Sequence, residues 1–312
     1  RLQFGCTAPS ATCTIRGAAE FSGTDPRITI NYKITEDLLI YANYATGRKP
    51  GGFNGTAGVA AAAVLGREAP TYEPEKSEGF EVGMKFSALD NRLRGSIAAY
   101  RNDLTNVQLS TAVPGAVGSI TSLVTTTANA RTQGVEFELQ AAPMDGLTLT
   151  GGISYVDAKF TSGCDADLFI YQSGGLRPNF NTAAPPAAGL ALCDITGKRL
   201  PLGSPFTANA SLSYEADLSS SLTGFFTSNM SYESEKNIQT DNFAKVGDTF
   251  LVNARLGIKT KNFTVAVFGR NLPDTLRANV LAVQGSIGVA FLLFIILTSN
   301  PFLRLEPAHQ GA

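Results

Sequence analysis

The chain has 312 residues, of which 44% are hydrophobic and only 16% charged, well short of the roughly 25% charge of a soluble domain. A formal net charge of -1, with no Lys/Arg block, leaves no electrostatic footprint for a nucleic acid, so no such partner is expected. The longest apolar run, residues 287 to 297, is shorter than the roughly 18 residues a membrane helix needs, which argues against helical crossing of a bilayer. The chain opens on Arg1 without an initiator Met or a signal peptide, and the expectation is a fragment or a processed product.

Residues 1 to 26 read as loop, with Cys6 and Cys13 bracketing TAPSAT. Alternation then predicts strands at 27–33 and 37–45, with Ile28, Ile30 and Tyr32 opposing Thr29, Asn31 and Lys33. A Gly/Ala-rich connection from Thr46 to about Lys76 carries GRKPGGFNG at 47–55. The next pair is 77–87 and 92–102, where Phe80, Val82, Met84 and Phe86 share one face and Glu81 and Lys85 the other. The Thr-rich stretch from Asp103 to Ala130 is polar and reads as a ribbon extending the flanking strands.

From residue 132 the alternation is clearest. Val135, Phe137, Leu139 and Ala141 oppose Glu136, Glu138 and Gln140, and Leu147, Leu149, Ile153 and Tyr155 oppose Thr148, Thr150 and Ser154. Pro143-Met144-Asp145-Gly146 reverses the chain between them. Each run spans roughly 10 residues, about what a tilted strand needs to cross a bilayer, whereas ordinary strands average about 5 to 6. A long connection from Phe160 to Pro205 carries Cys164 and Cys193, and strands follow at 206–216, 221–233, 250–260 and 262–271.

Connections alternate between short, at 34–36, 88–91, 142–146, 217–220 and 261, and long. In an antiparallel sheet this puts every short turn at one end, the pattern of a transmembrane barrel with short turns on one side and long loops on the other. Charge placement agrees. Glu81, Lys85, Arg94, Glu136, Glu138, Arg255 and Lys259 hold the polar parity of their strands, and Glu78, Arg101, Arg131, Asp157 and Lys159, on the apolar parity, lie at the long-loop ends. Tyr32, Tyr155, Tyr214 and Tyr232 fall towards strand ends, where an aromatic girdle belongs. The expected fold is all-β, an antiparallel transmembrane barrel portion of about 10–11 strands. One wet face of a soluble sheet would explain the alternation, but not the strand lengths together with the segregated loops.

Several stretches resemble the C-terminal barrel half of TonB-dependent outer-membrane receptors: IYANYATGRKPGGFNG at 40–55, YEPEKSEGFEVGMKFSALDNRLRGSIAAYRNDLTNVQLS at 72–110, ARTQGVEFELQAAPMDGLTLTGGISYVDAKF at 130–160 and FGRNLPD at 268–274. Together they span most of residues 27 to 274. The resemblance implies a piece of a barrel of about 22 strands whose lumen holds an N-terminal plug. It also implies a Gram-negative outer membrane, lipid around the barrel, and energy-coupled import of a scarce small-molecule ligand such as a ferric siderophore, driven by the TonB energy-coupling complex through the plug. No plug or energy-coupling box is read in this chain, and ten strands cannot close so wide a barrel. Residues 1–279 are therefore read as barrel, and residues 280–312, whose apolar run does not alternate, as an atypical tail that could be a degenerate last strand. A passive porin or an adhesive structural barrel is the alternative, and an outer-membrane hydrolase ranks last.

No enzyme site is expected. The single histidine, His309, lies in the tail, so neither a Ser/His nor a Cys/His apparatus is available in the strands. Asp165 and Asp167 lack EF-hand spacing, and neither a metal site nor a cofactor is expected. The cysteines all fall in long loops, and an oxidising compartment favours pairing Cys164 with Cys193 and Cys6 with Cys13. For ligand contact the candidates are Tyr44, Arg48, Lys49, Phe53 and Asn54, where cations beside an aromatic ring suit an anionic chelate. A loop-closing turn on Pro50-Gly51-Gly52 explains the same residues without a ligand.

Overall fold

The computed structural model describes residues 20–54, 71–114, 120–165, 168, 172, 193–272, 277–285 and 290–296. It contains strands β1 (Arg27–Thr35), β2 (Leu38–Lys49), β3 (Gly52–Phe53), β4 (Thr71–Tyr72), β5 (Glu75–Ala88), β6 (Leu93–Pro114), β7 (Ile120–Met144) and β8 (Leu147–Ser162). These are followed by β9 (Phe206–Ser219), β10 (Leu222–Glu233), β11 (Lys236–Asn237), β12 (Lys245–Val246), β13 (Thr249–Lys259), β14 (Phe263–Arg270), β15 (Arg277–Gly285) and β16 (Ala290–Ile296). Twelve strands form one sheet in the order β1-β2-β5-β6-β7-β8-β9-β10-β13-β14-β15-β16, while β3-β4 and β11-β12 are small ribbons on the long connections. Every pairing is antiparallel and between sequence neighbours within the sheet. The described strands leave the sheet open, with β1 and β16 at its edges.

Alternation survives as two chemically distinct faces. The register aligns Ile40, Met84, Ile97, Phe137, Ile153 and Ala208 in one cross-strand row, and Ala42, Val82, Ala99, Val135, Tyr155 and Phe206 in the next. These apolar side chains are not packed away: Phe80 and Val82 are each 57% exposed, Leu256 62% and Ile30 64%. Only eight apolar residues are buried among those described, and five of them form a single cluster outside the strand pairs' apolar face. A sheet that presents so much apolar surface outward is stable against hydrocarbon, because its backbone groups are satisfied strand to strand and only side chains meet the surroundings.

The structure extends several expected strands. β6 and β7 run to 22 and 25 residues, so the Thr-rich stretch between Asp103 and Ala130 does continue the flanking strands as a paired ribbon. Its register shifts twice, at Leu104/Val107 and Val107/Leu109, and Asn106 takes a positive φ of 57° at the first. The short turn expected at 34–36 falls at Glu36-Asp37. Gly146, with φ of 78° at the β7–β8 turn, sits against the Glu215 carbonyl, which leaves no room for a side chain. The chain beyond residue 279 continues the sheet: β15 pairs with β14, and β16 pairs with β15. His309 and the end of the tail lie outside the described residues.

Candidate ligand-binding site

The polar face is built from the intervening residues of the same strands. Its rows read Asn43-Glu81-Tyr100-Gly134, then Tyr41-Gly83-Ala98-Glu136-Ser154, then Leu39-Lys85-Ser96-Glu138-Gly152-Asn209. Hydrogen bonds run across the strands: Asn43 Nδ2 donates to Glu81 at 3.5 Å, Ser96 Oγ to Glu138 at 3.4 Å, and Thr150 and Ser211 share a hydroxyl contact of 2.5 Å. Further along the sheet Lys259 pairs with Glu215 at 2.5 Å, and the Arg255 guanidinium lies 5.0 Å from the Phe225 ring centre. Near the short-turn end, Lys85, Arg94, Ser96, Glu138, Gln140 and Asn209 line a hollow of about 540 Å³. Such a wall, carrying carboxylates, cations and amides in reach of one another, can hold a hydrated or polar occupant through many exchangeable contacts. Among the described residues no three His, Cys, Asp or Glu side chains gather as metal ligands would.

The five residues singled out for ligand contact lie together around the long-loop end of β2, but most of them are engaged within the chain. Tyr44 sits on the apolar parity, donates to Glu78 Oε1 at 2.9 Å and stacks at 4.8 Å on Phe80, an arrangement suited to the rim of a hydrocarbon layer. Arg48 pins the segment before β1: Nε to Asp25 at 3.1 Å, and its terminal nitrogens to the carbonyls of Ser22 at 3.1 Å and Thr24 at 2.9 Å. Asn54 grips the β7 extension by donating to the Val124 carbonyl at 2.9 Å and accepting from its N–H at 2.8 Å. Lys49 is exposed at the end of β2, and Phe53, 43% exposed, belongs to the β3-β4 ribbon.

A second group at this end was not legible beforehand. The connection after β8 returns over the sheet, and Leu168 and Ile195 pack with Ala128, Ala130 and Phe160, joined at the edge by Leu104, Val107, Leu109 and Leu200. Backbone bonds lace it down: Phe160 N–H to Lys198, Asp165 to Cys193, Ile195 to Gly163 and Leu200 to Ala158. Cys164 and Cys193 are joined by a disulfide at the foot of this loop, while Cys6 and Cys13 fall outside the described residues. Asp165, 6% exposed, accepts from the Leu168 N–H at 2.9 Å and from Thr240 at 2.5 Å, which ties the loop after β8 to the loop after β10. Asn242 completes the link through the N–H and carbonyl of Arg199, at 2.7 and 2.9 Å. Hydrogen bonds from Thr196 hold the Asp194 carboxyl below the usual carboxylate range. Leu104, Ala130 and Phe160 carry the parity of the polar face, so the two loops form one body over the upper end of that face. Apolar residues close to each cysteine, Leu168 after Cys164 and Ile195 after Cys193, were the sequence signal for it.

The family model described as TonB dependent receptor-like, beta-barrel, matches residues 7–272. The Metal-pseudopaline receptor CntO of Pseudomonas aeruginosa is 32% identical over 136 residues, 44% of this chain and 17% of that receptor. The probable TonB-dependent siderophore receptor PiuA of Acinetobacter baumannii is 28% identical over 185 residues, 56% of this chain and 23% of that protein. Among solved structures, the ferric yersiniabactin uptake receptor FyuA from Yersinia pestis shares the fold at a TM-score of 0.56 and 17% identity, covering 86% of this chain and 35% of that one. A short likeness of another kind also exists: the cytochrome c-type biogenesis protein CycK of Rhizobium meliloti is 70% identical over 44 residues, 14% of this chain and 6% of CycK. The chain thus spans a small part of each curated relative and about a third of the solved receptor. Members of the matched family are transport receptors of the Gram-negative outer membrane rather than enzymes. With the family model spanning residues 7–272 and the sheet built as family barrels are, the chain belongs to the TonB-dependent receptor β-barrel family.

Proposed function

We propose that this chain is the barrel wall of an outer-membrane receptor that imports a scarce metal chelate, of the ferric siderophore class, using energy delivered through TonB to a plug held against the polar face. The observation that carries the reading is the two-faced sheet itself, apolar outward and lined on its other face by Glu81, Lys85, Glu136, Glu138 and Arg255, in a chain matched to receptors whose names specify metal or iron chelates. Apolar side chains meet lipid, and the polar wall meets plug, water and ligand. In cells expressing the receptor that contains this segment, growth on a ferric siderophore under iron limitation should require TonB. Uptake that persists without TonB would replace the receptor by a passive porin.

The 312-residue chain alone is not transport-competent on this reading, since an open sheet leaves β1 and β16 unpaired in lipid. Liposomes carrying only this chain should take up no ferric siderophore. Residues 280–312 are assigned no part in transport, because the family match stops at residue 272.

A further inference from the structure

Two of the strands outlast their neighbours at the long-loop end. β5 pairs with β6 as far as Lys76 and Thr105, and β8 with β7 as far as Ser162 and Asn129, but β6 and β7 stay paired with each other from Val107 and Ala128 out to Pro114 and Ile120. Residues 107–114 and 120–128 are therefore a two-stranded arm standing beyond the sheet. A lone ribbon of two strands is marginal in water, and long connections belong to the least stable, most locally opening parts of a protein. This arm is instead gripped from both sides.

The register shift at its base decides what each side carries. Between Leu104 and Val107, β6 has one residue more than its partner strand, at the bulge where Asn106 takes a φ of 57°. A one-residue slip exchanges the two faces of a strand, so Val107 and Leu109 fall on the side of Leu104, and Gln108 on the other. Val107 and Leu109 accordingly pack against the cluster built on Phe160, Leu168 and Ile195. Gln108 turns to the connection after β2: its side-chain amide donates to the carbonyls of Pro50 at 2.9 Å and Glu73 at 3.3 Å, and its backbone N–H donates to Glu75 at 2.9 Å. Asn54, from the same connection, grips Val124 on the other strand of the arm. At the base, the Asn129 side chain accepts from the Asn106 N–H at 3.1 Å and donates to Ser162 at 3.0 Å. The bonds from Thr240 to Asp165 and between Asn242 and Arg199 then carry the assembly on to the loop after β10.

We propose that the β6–β7 arm is a common post which makes the described residues of three long connections, those after β2, β8 and β10, open and close as one piece over the upper end of the polar face. Gln108 is the residue that joins the first connection to the other two, because Val107 and Leu109 on either side of it are held in the apolar cluster. Access to that end of the polar face is then governed by a single opening equilibrium rather than by three loops fraying separately. This inference goes beyond the receptor reading and holds whatever molecule the receptor takes up.

The test is native-state hydrogen exchange on the full 312-residue chain in detergent micelles, with one reporter amide in each part. Val124 N–H is bonded to Asn54, Ile195 N–H to the Gly163 carbonyl and Arg199 N–H to Asn242. In the unmodified chain the three should exchange through one opening, with the same dependence on urea, because they expose the same surface together. Gln108→Ala, which removes both side-chain bonds to the connection after β2, should accelerate all three by a common factor of about ten. Thr240→Val, which removes the bond to Asp165 at the far side, should accelerate Val124 as much as Arg199, although it touches neither Asn54 nor Val124. Amides of Val82 and Ala99, in the β5–β6 pair below the arm, should keep their protection in both variants. Three different urea dependences in the unmodified chain would overturn the proposal without any variant. So would acceleration confined to Val124 in Gln108→Ala or to Arg199 in Thr240→Val, which is loop-by-loop opening, and so would acceleration that reaches Val82, which is loosening of the whole sheet.

Discussion

The ring of Tyr41 lies directly over Gly83, its cross-strand partner on the polar face, so closely that a Cβ at Gly83 would collide with it. The same relation recurs between Tyr100 and Gly134, Phe225 and Gly257 and, on the apolar face, Phe86 and Gly95, each a directly opposed pair. Glycine weakens a strand because it packs nothing, and a ring laid across it restores the missing contact. On the polar face it also fixes the ring's edge beside charge, with the Lys85 ammonium 5.8 Å from the Tyr41 ring centre.

Gly83→Val should therefore destabilise the sheet by about 1–3 kcal/mol, the usual range for overpacking, because the ring must leave its seat. Gly47→Ala, on β2 with nothing within 4 Å of the new Cβ, should cost far less. Urea unfolding of both variants in the same detergent checks this. Equal midpoints would show that the ring has no fixed seat on Gly83.

Asn54 acts as a side-chain substitute for a strand, completing a donor and an acceptor of Val124 on β7 across 70 residues of sequence. Asn54→Ala removes both bonds and should cost about 1–3 kcal/mol locally, since each bond contributes about 0.5–1.5 kcal/mol. Hydrogen exchange at the Val124 amide is the direct reading, and it should accelerate in the variant while amides of β8 keep their protection. Unchanged exchange at Val124 would remove Asn54 from its role as an anchor.

Much of the sheet was legible because its information is local. Residues 77–87, 92–102 and 132–158 alternate cleanly, and the structure pairs them in that register. The loop body over the polar face was hidden because Leu168, Ile195 and Phe160 meet only through contacts between remote, aperiodic segments. The internal partners of Arg48 were hidden for the same reason. Beside Phe53 in sequence it reads as an anion contact, but its partners, Ser22, Thr24 and Asp25, lie in a stretch with no pattern of its own. Tyr44 was legible only in part, since its parity already put it with Phe80 on the face turned towards lipid.

The Cys164–Cys193 bond closes a loop of 29 residues' separation, a constraint on the unfolded chain of about 3–4 kcal/mol by loop entropy. Reduction, or the double change Cys164→Ser with Cys193→Ser, should raise exchange at the Ile195 and Asp165 amides and leave β5–β6 untouched. The loop should also respond to acid. Asp194 has its folded carboxyl below the ordinary range, so its Thr196 bonds contribute at neutral pH, above the unfolded value. That contribution is lost as pH falls through the folded value, and Asp194→Asn should remove the acid-dependent part. Exchange that is the same in oxidised and reduced protein would mean that packing of Phe160 and Ile195 alone holds the loop.

If Arg48 is a fastener for residues 20–26, then Arg48→Ala should expose that segment to proteolysis before β1, with little change in chelate affinity beyond what the loosened segment causes. Lys49→Ala and Phe53→Ala carry the opposite signature, intact resistance of residues 20–26 with weaker binding, because their side chains lie exposed and hold no segment in place. An exposed ammonium or ring contributes about 0.5–1 kcal/mol to such a contact, so each loss should weaken chelate binding by roughly two- to fivefold. Titrating a ferric siderophore against the receptor that contains this segment, with limited proteolysis run on the same samples, distinguishes the two. Loss of affinity in Arg48→Ala without new cleavage would return the guanidinium to the ligand and leave the upstream segment held by something else.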